Sequence, residues 1–152
     1  MFRQVWRYTL VSIAESKKAA EIAQRYGMKN PDSFAQQFLA GETLDAAMAE
    51  IKRFNNSGIG CTTTILGESV NDRSAVGTAR DLNLDLLERI HESGATPRES
   101  HISLKLTQLG LNISRDCCME NMTVIMKKAR EYNIFVRIDM EFSGIVQTTL
   151  DI

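Results

Sequence analysis

The spacing of hydrophobic residues changes from helical to strand-like after Gly58. Before this point apolar residues recur three to five positions apart, as at Val5, Leu10 and Ile13, which indicates helices with one buried face. The segment 59–66, IGCTTTIL, is rich in β-branched residues instead. Such a composition predicts a strand. The change in spacing therefore separates a helical start from a region that contains sheet.

Strands and helices are predicted to alternate from residue 58 onward. Glycine, proline and serine clusters separate the segments. The predicted elements are strand 59–66, helix 73–92, strand 101–106, a helix capped by Ser114 and strand 134–141. We therefore predict an N-terminal helical segment at residues 1–57 and an α/β domain at 58–152. Within the first segment, Thr43 is predicted to cap a helix that ends near Asn55.

Both helices of the predicted α/β domain carry an apolar face. One face comprises Leu82, Leu86, Leu87 and Ile90, and the other comprises Met119, Met122, Ile125, Met126 and Ala129. Residues at this spacing usually pack into a core. We therefore interpret the methionines as core residues.

The order strand, helix, strand, helix, strand is typical of βα units and a parallel sheet. A doubly wound sheet and a (β/α)8 barrel both have this order. No GxGxxG motif follows a strand, which weakens a dinucleotide-binding Rossmann interpretation. A complete barrel needs about 250 residues, and this chain has 152. The expected fold is helices followed by the first three βα units of an incomplete TIM-like barrel.

Composition narrows the possible partners and compartments. The net charge of −1 gives no general attraction to nucleic acid or anionic lipid. The three cysteines lack zinc-site spacing, which suggests free thiols in a reducing compartment such as the cytoplasm. No apolar run reaches the roughly 18 residues of a membrane span. The basic, mildly amphipathic start, 1–16, predicts a packing helix rather than a signal peptide or a membrane-surface helix.

Charged residues occur where the predicted strands end. Glu68, Lys105, Asp139 and Glu141 lie at or just beyond these ends. A charge inside a buried parallel strand is costly, whereas ligand sites open at the carboxyl ends of such strands. The residues therefore predict a polar site in which Lys105 meets an anion and Asp139 meets a cation or a hydrogen-bond donor. The alternative is a structural ion pair between Lys105 and Asp139.

Other candidate residues carry weaker signals. His101 opens a strand and is expected to pack, and His91 suits a helix C-terminus. Cys117 and Cys118 begin a helix, where a thiolate is favoured, but no base lies nearby in sequence. The stretch 127–130 complements a helix dipole rather than binding nucleic acid. No metal site is predicted.

Several motifs in order resemble the monofunctional bacterial proline dehydrogenases. They are LAGETLDAAMAEIKRFNNSGI, TILGES, ISLKLTQLGL, FVRIDME and TTLDI, and the similarity runs from about Phe38 to Ile152. The resemblance implies a distorted (β/α)8 barrel with FAD. It also implies oxidation of L-proline to Δ1-pyrroline-5-carboxylate in proline catabolism, with electrons passed to a quinone at the inner face of the membrane.

The resemblance also implies roles for individual residues. Lys105 matches the lysine that binds the proline carboxylate, and Asp139 matches an active-site aspartate. Met140 matches a position beside the flavin. Glu68 matches a gate glutamate that pairs with an arginine of the last barrel helix. The segments GCTTTILGES and FSGIVQTTLDI depart locally from the family pattern.

The chain ends after the third predicted strand, so the later strands that hold most FAD contacts in the family are not in it. We therefore expect these 152 residues alone to be inactive and to hold FAD poorly. Two further hypotheses stay open. One is a non-catalytic half-barrel that binds a partner or self-associates through an open sheet edge. The other is a different barrel enzyme that uses Lys105 as a Schiff base.

Overall fold

The computed structural model describes residues 39–96 and 98–152. The chain divides into two compact units between Ala47 and Met48, and each is described by itself. The helices predicted before residue 39, including the amphipathic start, lie outside the described residues. The boundary at 57/58 remains a prediction.

Helices and strands alternate in the described residues, as the sequence predicts. The elements are α1 (Leu44–Asn56), β1 (Cys61–Thr63), α2 (Arg73–Glu92), β2 (Ser100–Leu104), α3 (Arg115–Glu131) and β3 (Val136–Ile138), followed by a 3-10 turn (Ser143–Ile145) and α4 (Val146–Leu150). None of the described helices has the length and apolarity needed to cross a bilayer.

The three strands form one parallel sheet in the order β1-β2-β3. Thr62 pairs with His101 between β1 and β2, and Ser103 pairs with Arg137 between β2 and β3. All three carboxyl ends therefore lie at the same edge of the sheet. The α/β class is confirmed, whereas the wider barrel remains a prediction.

Helix α2 packs against α3 and β2 through a face that is fully buried at Leu86, Leu87 and Ile90. Leu82, which the spacing groups with these residues, is 39% exposed. Leu82 precedes the buried Asn83 by one residue and so stands about 100° round the helix from the core. The apolar face of α2 is narrower than the leucine count suggests.

The methionine stripe of α3 is only partly in the core. Met122 is buried, but Met119 and Met126 are 37% and 44% exposed. Each of these two follows a fully buried residue, Cys118 or Ile125, by one position. That position lies about 100° away from the buried face, so the prediction for Met119 and Met126 was wrong.

Polar residues cap the helices where the sequence predicts. The Thr43 hydroxyl accepts a hydrogen bond from the Ala46 amide at 3.2 Å. Ser114 accepts from the Cys117 amide at 3.0 Å. Asp72, not singled out from the sequence, accepts from the Ala75 amide at 2.8 Å. These caps satisfy amides that have no partner inside a helix.

The strands are shorter than predicted, which changes the position of Lys105. Strand β2 ends at Leu104, so Lys105 is the first residue after the strand rather than part of it. Strand β1 covers three residues of the predicted 59–66. Beyond it, the carbonyls of Ile65 and Leu66 accept hydrogen bonds from the Gln108 side chain instead of from a neighbouring strand.

Candidate functional site

The segments that follow the three strands surround one pocket, which we call the strand-end pocket. It has a volume of about 470 Å³, within the roughly 300–1,000 Å³ of typical small-molecule sites. The lining residues are Glu68, Ser69, Lys105, Asp139, Met140, Glu141 and Phe142. The structure therefore brings together all five residues that the sequence analysis places at a site, namely Glu68, Lys105, Asp139, Met140 and Glu141.

Lys105 supplies the positive charge of the strand-end pocket. Its ammonium lies 3.3 Å from Oε2 of Glu68, and the two side chains are 25% and 67% exposed. An ion pair this open to water holds its partners weakly, so Glu68 can be exchanged for another anion. The ion pair between Lys105 and Asp139, considered as an alternative, is not found among the described residues.

Asp139 is fixed by β2 instead. The hydroxyl of Ser103 donates a hydrogen bond to Oδ1 of Asp139, and the Asp139 amide donates to the Leu104 carbonyl at 2.9 Å. Ser103 is buried and stands two residues before Lys105, a spacing that in an extended segment favours side chains on the same face. The sequence analysis missed Ser103, although its spacing from Lys105 was a usable signal.

Glu141 is fixed by Thr107, which the sequence analysis also missed. The Thr107 amide donates to Oε1 of Glu141 at 3.1 Å, and the Thr107 hydroxyl donates to Oε2. The same hydroxyl accepts from the Ser69 amide at 2.9 Å. The turn after β2 therefore ties the segments that follow β1 and β3.

Gln108 and Gly67 fit closely where the segment after β1 approaches this turn. A Cβ atom at Gly67 would lie 2.6 Å from Nε2 of the Gln108 side chain, and Gly67 has a φ of +143°. The positive φ favours glycine at this position, and a Cβ atom there would also displace the end of the Gln108 side chain. The backbone that leads to Glu68 thus depends on a residue without a side chain.

The two histidines lie away from the strand-end pocket lining and contact aromatic rings. His101 shares a 2.6 Å hydrogen bond with Thr62 and meets Phe135 edge-on. His91 stacks on Tyr132 with 4.1 Å between ring centroids. The prediction that His101 packs is confirmed.

Cys118, near the start of α3, is not a reactive thiolate. Burial, together with the smaller effects of the nearby Cys117 and Glu141, raises the pKa of the Cys118 thiol to about 11. Cys118 is fully buried, and all three cysteines are free thiols. The suggestion that the helix start favours a thiolate is therefore wrong for Cys118. Within residues 39–96 and 98–152, no three His, Cys, Asp or Glu side chains cluster to hold a metal ion.

Comparison with known proteins identifies the family. The sequence pattern of the family described as proline dehydrogenase matches residues 47–152, which is most of the chain. This chain belongs to the proline dehydrogenase family. The matched region contains every residue of the strand-end pocket.

Curated bacterial members of the family are similar along most of this chain. Proline dehydrogenase 2 of Bacillus subtilis (strain 168) is 36% identical over 118 residues, which are 78% of this chain and 38% of that protein. Proline dehydrogenase 1 of Bacillus subtilis subsp. natto is 29% identical over 147 residues, which are 96% and 46%. The chain spans less than half the length of these relatives.

A solved structure has the same fold over most of the chain. It is proline utilization A from Bdellovibrio bacteriovorus, inactivated by N-propargylglycine, with a TM-score of 0.67 at 18% identity. The similarity covers 77% of this chain and 14% of that one. It supports the parallel α/β architecture.

Proposed function

We propose that this chain serves the FAD-dependent oxidation of L-proline to Δ1-pyrroline-5-carboxylate, and that the strand-end pocket binds the proline carboxylate. The observation that carries the proposal is the position of Lys105, directly after the central strand and paired only loosely with Glu68. Membership of the proline dehydrogenase family supports the choice of substrate.

Lys105 is the substrate-binding residue of this proposal. The proline carboxylate replaces Glu68 as the partner of the ammonium, and the released Glu68 acts as the gate. An ammonium at a fixed strand end orients the substrate ring, and such positioning lowers the barrier to reaction. Because the contact with Glu68 is exposed, the exchange of partners costs little.

Asp139 and Glu141 balance the charge around the substrate. Proline carries a protonated secondary amine, and a carboxylate beside it compensates this charge. Asp139 is the catalytic residue of the proposal because Ser103 holds its carboxylate in the strand-end pocket. The second carboxylate oxygen of Asp139, Oδ2, then accepts a hydrogen bond from a donor on the substrate.

We propose that a flavin ring covers the apolar side of the pocket. Met140 and Phe142 line it and are 54% and 51% exposed, so a flat ring can cover surface that otherwise faces water. Met140 is the residue that we propose beside the flavin. When FAD is bound, it supplies the oxidising chemistry, and the protein supplies placement and electrostatics.

The remaining partners follow from the same proposal. We propose a cytoplasmic location with a peripheral contact at the inner membrane face, where a quinone takes the electrons. No role with nucleic acid is proposed. A Schiff-base role for Lys105 is disfavoured by family membership.

The proposal is tested by comparing two ligands that differ in one group. L-proline and pyrrolidine share the ring, but only L-proline carries a carboxylate. We expect calorimetric titration of the purified chain to show binding of L-proline and at least about tenfold weaker binding of pyrrolidine, the effect of losing one charged hydrogen bond. Equal affinities would show that the carboxylate is not recognised.

A second candidate function is self-association through the edge of the sheet. In the described sheet, β3 pairs only with β2, and an unpaired strand edge is a template for another strand. Phe135, which directly precedes β3, is 54% exposed, and Ile138, the last residue of β3, is 36% exposed. An identical chain could cover them.

Sedimentation velocity tests this second candidate. If it holds, the unmutated chain is a dimer, and Ile138→Lys is a monomer because a charge on the edge opposes pairing. Val124→Lys is the matched control, since Val124 is 44% exposed on α3 and its substitution should leave the dimer intact. A monomeric unmutated chain at all concentrations tested contradicts self-association.

A further inference from the structure

Thr107 joins the three segments that follow the strands. Its hydroxyl accepts a hydrogen bond from the Ser69 amide at 2.9 Å and donates one to the Glu141 carboxylate. Its own amide donates to the second Glu141 oxygen at 3.1 Å. One side chain thus connects the segment after β1 with the segment after β3.

The burial of Thr107 and the backbone conformation of Ser69 make these hydrogen bonds difficult to replace. Thr107 is fully buried, so its hydroxyl has no water to bond in place of Ser69 and Glu141. Ser69 has a φ of +54°, a conformation that a residue other than glycine keeps only when its surroundings hold it. A hydroxyl can accept from an amide and donate to a carboxylate at once, which neither valine nor alanine can do.

The contacts of Thr107 also fix the position of one negative charge in the strand-end pocket, the carboxylate of Glu141. Glu141 lines the same pocket as Lys105, and both of its oxygens accept hydrogen bonds from Thr107. Without the Thr107 hydroxyl, Glu141 keeps only the hydrogen bond from the Thr107 amide. Its carboxylate is then a less restrained anion next to the only cation among the described lining residues. It would then compete with a substrate carboxylate for Lys105.

We propose that Thr107 is a positioning residue whose hydroxyl holds Glu141 away from Lys105 and fixes Ser69, next to Glu68, so that Lys105 stays available to the substrate carboxylate. The proposal rests on the proposed function, in that L-proline is the ligand of the pocket. It adds a residue that touches neither substrate nor cofactor.

The affinity of the purified chain for L-proline tests this role. Thr107→Val should weaken binding about tenfold, as expected for one lost hydrogen bond to a charged group, whereas Thr107→Ser, which keeps the hydroxyl, should stay within about twofold. In a Glu141→Gln background, Thr107→Val should have an effect of only about twofold, because the competing charge is gone. A role in folding alone predicts the same loss in both backgrounds, and that result overturns the proposal.

Amide hydrogen exchange provides a readout that does not need L-proline. The Ser69 amide should exchange about tenfold faster in Thr107→Val than in Thr107→Ser, since it loses a hydrogen bond of ordinary strength or more. The Val70 amide is the internal control, because its acceptor is the Thr107 backbone carbonyl at 3.1 Å, which the substitution retains.

The outcomes separate the two proposals. If the unmutated chain binds no L-proline, yet the Ser69 amide exchanges faster in Thr107→Val than in Thr107→Ser, the proposed function fails and the connection through Thr107 stands. If Thr107→Val does not fold, the exchange rate of the Ser69 amide in the unmutated chain tests the positioning role. A Ser69 amide that exchanges there as fast as a free peptide shows that Thr107 does not hold the segment and overturns the positioning role.

Discussion

At the scale of single residues, the strand-end pocket is a small set of charges held by buried hydroxyls. Lys105 faces the exposed Glu68, while Ser103 and Thr107 fix Asp139 and Glu141. The charged residues were predictable from the sequence because a charge at a strand end is unusual. The hydroxyls were harder to predict, because their partners lie across the sheet and thirty or more residues away along the chain; only the spacing of Ser103 from Lys105 was a usable signal.

The fit of Gly67 against Gln108 gives a prediction for stability. Gly67→Ala places a Cβ atom 2.6 Å from the Gln108 side chain and keeps a positive φ, so we expect the free energy of unfolding to fall by about 1–3 kcal/mol. Gly77→Ala is the control, since Gly77 lies in α2 with open space around it and alanine favours helix by up to about 1 kcal/mol. Denaturant unfolding measures both. Equal effects of the two substitutions contradict the close fit.

The buried Cys118 thiol gives a prediction for pH. Because its pKa is raised to about 11, only about one thiol in a thousand is ionised at pH 8, and the thiolate is the reactive form. The pKa of Cys118 in the folded chain exceeds the ordinary 9.0. The protonated thiol therefore makes its full contribution to the free energy of unfolding below pH 9, and this contribution is lost as the pH rises through about 11.

Alkylation by iodoacetamide, followed by mass spectrometry, measures this reactivity. Cys118 should stay unmodified at pH 8 in the folded chain and react fully in guanidinium chloride, which serves as the control for the reagent. Modification of Cys118 in the folded chain at the rate of a free cysteine would contradict the burial.

At the scale of elements, the helices were easier to predict than the strands. The bounds of α2, Arg73–Glu92, agree with the prediction. Gly94 marks the end of the helix in the sequence, whereas the Asp72 cap at its start was not singled out. Strand β1 retains only Cys61–Thr63 of its predicted length. The apolar residues that follow leave the sheet and form the turn that leads to Glu68. Hydrophobic runs predicted the order of the strands but could not show where pairing stops.

The narrow buried face of α2 gives a prediction with a control in the same helix. Leu86 is fully buried and Leu82 is 39% exposed. Leu86→Ala should lower the free energy of unfolding by about 2–5 kcal/mol through the cavity it leaves, and Leu82→Ala by less than about 1 kcal/mol. Chemical denaturation of the two variants measures the difference. Similar losses at both positions would mean that the face of α2 is not the one described.

At the scale of the whole molecule, the parallel sheet brings to one edge residues that are far apart in sequence. Glu68, Lys105 and Asp139 each follow a different strand, and the order β1-β2-β3 places Lys105 between the other two. Parallel order was predictable from the alternation of elements. The pairing of Lys105 with Glu68 rather than with Asp139 was not, since it depends on how the segment after β1 turns.

The central claim is that Lys105 binds the carboxylate of L-proline, and the most direct measurement is the affinity of the purified chain for L-proline before and after Lys105→Met. Lys127→Met is the matched control, because it removes the same charge from an exposed position on α3. We expect Lys105→Met to weaken binding at least about tenfold through the loss of a charged hydrogen bond, and Lys127→Met to stay within about twofold. Equal affinities of the two variants would contradict the claim.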